Sequence, residues 1–171
     1  PFIKWINNID IQYEIAFLTA SYYGHLEIIK YLIELCNEKA LYSDEKKKIN
    51  IHTENELAFR VACQEGHFEI VKYLIQLGKE EKRIDPLSPK GIDIHAKNEQ
   101  AFRDACSNGR LEIVKYLIEL GKEEKRIDPL SSKEIDIHAE NELAFRLACQ
   151  EDHLEMVKYL IELGNEIESP F

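Results

Sequence analysis

Residues 51–78 read IHTENELAFRVACQEGHFEIVKYLIQLG, and the chain repeats that phrase twice more. Residues 94–121 read IHAKNEQAFRDACSNGRLEIVKYLIELG and residues 137–164 read IHAENELAFRLACQEDHLEMVKYLIELG, each 43 residues after the one before. A looser copy, IQYEIAFLTASYYGHLEIIKYLIELC, fills residues 11–36, with Gly24 lying 42 residues before Gly66. Self-similarity at a fixed period of roughly 20–50 residues marks a solenoid, in which each unit buries its apolar face only against its neighbours. The chain is read as one domain, residues 1–171, of four units bounded near 9–48, 49–90, 91–133 and 134–171. Stacked units enclose no pocket by default, so function becomes a question about surfaces.

Within one unit the pattern is helical, and the fold class is all-α. Residues 56–64, ELAFRVACQ, are rich in good helix formers. Asn55, Asn98 and Asn141 precede this helix in successive units and suit an N-cap or a left-handed turn. Gly66 breaks the chain. A second helix follows over residues 67–77, where Phe68, Val71, Leu74 and Ile75 share one face. Gly78 reads as its C-terminal stop. The inserts KEEKRIDPLSPK (79–90) and KEEKRIDPLSSK (122–133) are nearly identical, which predicts order. Either the second helix extends through Glu81, or a short helix restarts with Asp85 as cap and Pro86 first, as Asp128 and Pro129 repeat. In the restarted form Ile84 and Leu87, and Ile127 and Leu130, pack on the outer side.

The phrases GHLEIIKYLIEL (24–35), GHFEIVKYLIQL (66–77), GRLEIVKYLIEL (109–120) and DHLEMVKYLIEL (152–163) resemble the second helix of the ankyrin repeat. LAFRVAC (57–63), QAFRDAC (100–106) and LAFRLAC (143–149) stand where that family has its TPLHxAA helix, and GIDIHA (91–96) is similar to its hairpin strand. Leu57-Ala58, Gln100-Ala101 and Leu143-Ala144 replace the family's Thr-Pro, leaving the upstream Asn to substitute for the Thr cap. Arg60, Arg103 and Arg146 replace its His, and the period exceeds its usual length of about 33. The wording also resembles ankyrin arrays of giant amoeba viruses. The resemblance implies a helical solenoid that binds another protein through a concave groove, with a host protein in the host cytoplasm as the partner.

Composition narrows the classes. There are 32 acidic against 22 basic residues, a net charge of −10, which argues against a phosphate-binding surface and so against nucleic acid. It favours basic or neutral partners and a monomer kept soluble by repulsion. No apolar run approaches the ~20 residues of a membrane span. Cys63, Cys106 and Cys149 share one repeat position beside an Ala, and successive parallel helices hold such positions too far apart for a disulfide. They read as reduced core residues of an intracellular protein.

Catalytic and metal readings fare poorly. Cys63 with His67, and Cys149 with His153, have a metal-binding spacing, but each pair straddles a break and the third unit has Arg110 in place of the His. The His instead caps its helix or packs between units. Glu80-Glu81 and Glu123-Glu124 sit among Lys and Arg and read as a solvated helical extension. There is no phosphate-cradling glycine loop, and a nucleophile repeated three times has no catalytic logic. No enzyme activity, metal or cofactor is expected. His52, His95 and His138 read as turn residues hydrogen-bonded to the next hairpin. Tyr31, Tyr73, Tyr116 and Tyr159 read as packing between units with the hydroxyl at the rim.

Positions that differ between units carry the information about partners. Tyr22-Tyr23, Gln64-Glu65, Ser107-Asn108 and Gln150-Glu151 precede the turn, where the resemblance places the concave groove. Glu14, Glu56, Glu99 and Glu142 recur at the start of the inner helix and are assigned to the same groove, with Arg60, Arg103 and Arg146 pairing with them. The Tyr pair is the best anchor, because Tyr is enriched at hot spots. Trp5 is a second candidate, although FIKWI reads better as a cover for the first unit. The alternative function is a structural spacer or assembly element within a longer array. The last unit keeps an interior-type apolar pattern where a polar cap is usual, which leaves end-to-end association open.

Overall fold

The computed structural model describes residues 2–42, 49–84, 91–130 and 134–168. Among them are eight α-helices and no strand: α1 (Phe2–Tyr23), α2 (Leu26–Tyr42), α3 (Thr53–Glu65), α4 (Phe68–Ile84), α5 (Ala96–Ser107), α6 (Leu111–Ile127), α7 (Ala139–Gln150) and α8 (Leu154–Glu168). They form four pairs stacked side by side, α1 on α3, α3 on α5 and α5 on α7. Buried Ala58 and Ala62, Ala101 and Ala105, and Ala144 and Ala148 lie four apart on the inner helices, so these helices approach closely. The outer helices meet less closely, with Phe68 of α4 edge to face against Tyr116 of α6. The inner helices therefore form the tighter side of the row. One continuous core runs through all four pairs, with Phe59 and Phe102 completely buried at its centre.

The turn inside each pair takes a left-handed residue, with φ 80° at Gly24, 88° at Gly66 and 65° at Gly109. Asp152 holds the same place with φ 58°. A second requirement falls on the three glycines. A Cβ on Gly24 would lie 2.6 Å from the His67 ring, one on Gly66 2.8 Å from Arg110 Cδ, and one on Gly109 2.7 Å from His153 Nδ1. The next pair's side chain lies in the seat that the missing Cβ leaves.

Gly78 is not a helix stop. Helices α4 and α6 run through Gly78 and Gly121 to Ile84 and Ile127. A Cβ at these glycines would sit 2.8 Å from the Ile92 nitrogen and 2.9 Å from that of Ile135, so the bare backbone lets the connector lie against the helix. Of the two forms expected for the insert, the first is seen, the second helix extending through Glu81. Ile84 and Ile127 are 78% and 76% exposed and Leu130 is 99% exposed. At the end of α6, Asp128 Oδ1 accepts the Leu130 amide at 3.3 Å, and residues 131–133, where a restarted helix would continue, lie outside the described residues. Leu87, the other insert residues 85–90 and the side chain of Trp5 lie outside the described residues.

The connectors carry a repeated device. The amides of His52, His95 and His138 each donate to the side-chain oxygen two residues back, on Asn50, Asp93 and Asp136, at 3.0 Å. Three successive residues then adopt left-handed conformation: Glu54-Asn55-Glu56, Lys97-Asn98-Glu99 and Glu140-Asn141-Glu142. Such residues cost roughly 1–2 kcal/mol each when not glycine, so neighbours must hold them. Arg60 does this for the first turn, donating from Nε to the Asn55 carbonyl (2.9 Å) and from Nη2 to that of Glu54 (3.0 Å). Arg103 donates likewise to the Lys97 carbonyl at 3.1 Å. The recurrent Asn is thus a left-handed turn residue and not an N-cap, and Arg60 and Arg103 support the turn in place of pairing with groove carboxylates.

Candidate partner-binding groove

Residues that end the first three inner helices are fixed from behind by the next pair. His67 Nε2 donates to the Tyr22 carbonyl at 2.7 Å, Arg110 Nε to that of Gln64 at 3.0 Å, and His153 Nε2 to that of Ser107 at 3.0 Å. His67 and His153 therefore pack between units, and Arg110 does the same work with a different donor.

The four dipeptides differ in what they offer. Tyr22 and Tyr23 are 45% and 62% exposed, and their rings meet edge to face at a centroid distance of 5.0 Å. With Leu18, Thr19, Leu57 and Val61 they line a groove of about 280 Å³ across the first two pairs. Gln64, Glu65, Ser107 and Asn108 are half-buried, while Gln150 and Glu151 are exposed and bonded to each other at 3.0 Å. Asn108 spends its amide on the Asp104 carbonyl at 2.8 Å, closing the end of α5. At the third pair, Gln100 and Asp104 replace Leu57 and Val61, so the apolar lining ends there. Gln100 Oε1 accepts from Arg60 Nη1 at 2.7 Å, and burial pushes the Asp104 carboxyl upward despite Gln100 and two nearby guanidinium groups. The walls supplied by Leu18, Leu57 and Val61 were missed as site residues. Their signal was that each is apolar at a repeat position that turns polar one unit later, Leu18 to Arg60, Leu57 to Gln100 and Val61 to Asp104.

Two of the carboxylates assigned to the groove are elsewhere. Glu56 and Glu99 are only 5% and 3% exposed. Each is an interior tie. Glu56 Oε1 accepts from His52 Nδ1 at 2.8 Å and from the Asp93 amide of the next unit at 3.2 Å. Glu99 Oε1 does the same with His95 Nδ1 at 2.8 Å and the Asp136 amide at 3.5 Å. Glu142 pairs with His138 at 2.6 Å but stays half exposed. The inter-unit bond is thus made by the Glu, and the recurrent His orients it. On its far side the His faces the insert: His52 Nε2 lies 3.3 Å from Glu81 and His95 Nε2 3.6 Å from Glu124. Glu81, at 14% side-chain exposure, is no solvated carboxylate. Burial alone would lower the His95 pKa, but Glu124 and Glu99 outweigh it and raise it to about 9. His95 is therefore an imidazolium at neutral pH, held between two carboxylates.

The cysteines divide. Cys63 and Cys106 are buried between inner helices, and burial pushes both thiols up, helped at Cys63 by Asp104. Cys149, expected to be buried like them, is exposed, because no further pair covers α7 among the described residues. The four cysteines are unbridged. Among the described residues there is no group of three His, Cys, Asp or Glu placed to hold a metal, and no helix long and apolar enough to cross a membrane.

A family profile described as ankyrin repeats (three copies) matches residues 2–85 and again 81–170. No curated protein matches the chain. Among solved structures, the X-ray structure of an ankyrin repeat family protein from Legionella pneumophila is similar, with 28% sequence identity and a TM-score of 0.62. The match covers 86% of this chain but 36% of that one, so this chain spans little more than a third of that protein's length.

Proposed function

The chain belongs to the ankyrin-repeat family, and from that premise we propose that it recognises a partner protein, without catalysis, through the groove along its inner helices. Repeat arrays of this kind bind through extended concave surfaces and are in general protein-interaction modules. The observation that carries the reading is the exposed Tyr22–Tyr23 pair over an apolar groove walled by Leu18, Leu57 and Val61. Aromatic side chains beside an apolar recess are the usual anchors of an interface. Ser107, Gln150 and Glu151 continue the surface as a polar rim, and Gln64 and Glu65 bridge the two regions. Net charge −10 disfavours nucleic acid as the ligand. The wording of the repeats, close to ankyrin arrays of giant amoeba viruses, supports a viral source, a host protein as partner and the host cytoplasm as the place of binding.

The test begins with capture of a partner from amoebal cytosol by the intact chain, followed by titration calorimetry with that partner. Replacing Tyr22 and Tyr23 together by Ala should weaken binding by about 2 kcal/mol or more. Altering the charged residues 79–83 should mainly change association rate and salt dependence. Full affinity in the double Tyr variant, with loss on changing 79–83, would place binding on the convex side and reject the groove.

A further inference from the structure

The inner helices change chemistry at their C-terminal ends. Residues 61–65, 104–108 and 147–151 read VACQE, DACSN and LACQE, following TASYY at 19–23. These stretches hold three carboxylates, on Glu65, Asp104 and Glu151, and no Lys or Arg. The recurrent guanidinium stands one residue earlier, on Arg60, Arg103 and Arg146. Arg60 and Arg103 turn it back to the carbonyls of the preceding connector. Past the turns, His67, Arg110 and His153 are tied to backbone carbonyls. Among the described residues no Lys, Arg or His forms an ion pair with Glu65, Asp104 or Glu151.

Asp104 is the central one. It holds the repeat position of Val61 and Leu147, which are apolar and half-buried, as Asp104 itself is. From the second pair to the fourth this position thus runs apolar, acidic, apolar. Burial pushes the Asp104 carboxyl upward, and the Gln100 amide, which donates to it, offsets this only in part; Arg103 and Arg60 act from a distance. A carboxylate drawn from water is costly until a cation reaches it. The groove offers no such cation, so the ligand has to bring it. Beside it, across the first two pairs, lies the apolar recess of Tyr22, Tyr23, Leu57 and Val61. We propose that the segment bound in this groove is basic: an apolar or aromatic residue seats at Tyr22 and Tyr23, and a Lys or Arg on its fourth-pair side pairs with Asp104. Glu65 and Glu151, to either side, attract the same segment at longer range and repel an acidic one. The proposal rests on the groove recognition argued above and adds the chemistry of what is recognised.

Panning a phage-displayed library of random dodecapeptides on the 171-residue chain tests it. Asp104→Asn, Asp104→Lys and the Tyr22→Ala, Tyr23→Ala double variant serve as parallel baits, each checked for helicity by circular dichroism. The parent should enrich peptides that combine a Lys or Arg with a large apolar residue. Synthetic copies should bind Asp104→Asn about tenfold more weakly, bind the double Tyr variant more weakly still, and lose affinity as salt is raised. Asp104→Lys should select Asp or Glu at the basic position. Should that variant fail to fold, the near-isosteric Asp104→Asn and the salt series decide. Peptides that depend on the Tyr pair but carry no excess of Lys or Arg, or that bind Asp104→Asn as tightly as the parent, overturn the basic segment while the groove stands. Enrichment of acidic residues by the parent does the same. Peptides indifferent to the Tyr pair, or no enrichment at all, overturn the groove and this proposal together.

Discussion

Gly24, Gly66 and Gly109 meet two demands, a positive φ and a seat for the next unit's side chain, while Asp152 meets only the first. The second demand is absent there because no further pair follows α8 among the described residues. An Asp held at φ 58° costs on the order of 1 kcal/mol relative to Gly, since its Cβ crowds the backbone. Asp152→Gly should therefore raise the midpoint of chemical denaturation, and an unchanged or lower midpoint would refute the cost. Thiol chemistry gives a second check on single residues. Under native conditions Cys149 should label rapidly and Cys63 and Cys106 slowly, all three becoming equal on unfolding. Fast labelling of Cys63 would mean that the α3–α5 contact opens readily. Repeat position alone made the three cysteines equivalent; only the presence or absence of a neighbour separates them.

The connector is the element whose role changed most between sequence and structure. Its Asn, Glu, Arg and His recur in register and read as surface residues. The chain instead winds the Asn and Glu into a left-handed turn, and the buried Glu56 and Glu99 hold the next unit's backbone. That arrangement makes the second connector sensitive to pH. The folded pKa of His95, about 9, lies above its ordinary 6.5, so its contribution is complete below about 6.5 and disappears as the pH rises through about 9. Stability should fall on alkaline titration by on the order of 2 kcal/mol through this group, after allowing for solvent screening. His95→Gln should be less stable at neutral pH and should lose less on going to alkaline pH. Parallel titration curves for parent and variant by denaturant unfolding would exclude His95 as the source.

A stack with contacts only between neighbours should open from its ends, since each internal pair has two interfaces and each end pair one. Amide exchange should be slowest in α3 and α5 and faster in α8, whose Leu154 and Ile161 lack cover; uniform protection would indicate a single cooperative unit. The helical solenoid was readable from the sequence because repetition is a property of the chain. A unit recurring with apolar residues on one helical face has to bury that face against its own copies, and Gly-His between two such faces already marks the turn. The Tyr22–Tyr23 pair was readable for the opposite reason, as a break in that repetition. Three-dimensional packing alone decided which recurrent polar residues are interior. Glu56 and Glu99 are buried, and Glu142, in the same phrase, is half exposed. Burial of a carboxylate depends on whether an imidazole and a neighbouring unit's amide reach it. Those groups lie in other turns of the stack, at distances along the chain that local pattern does not register.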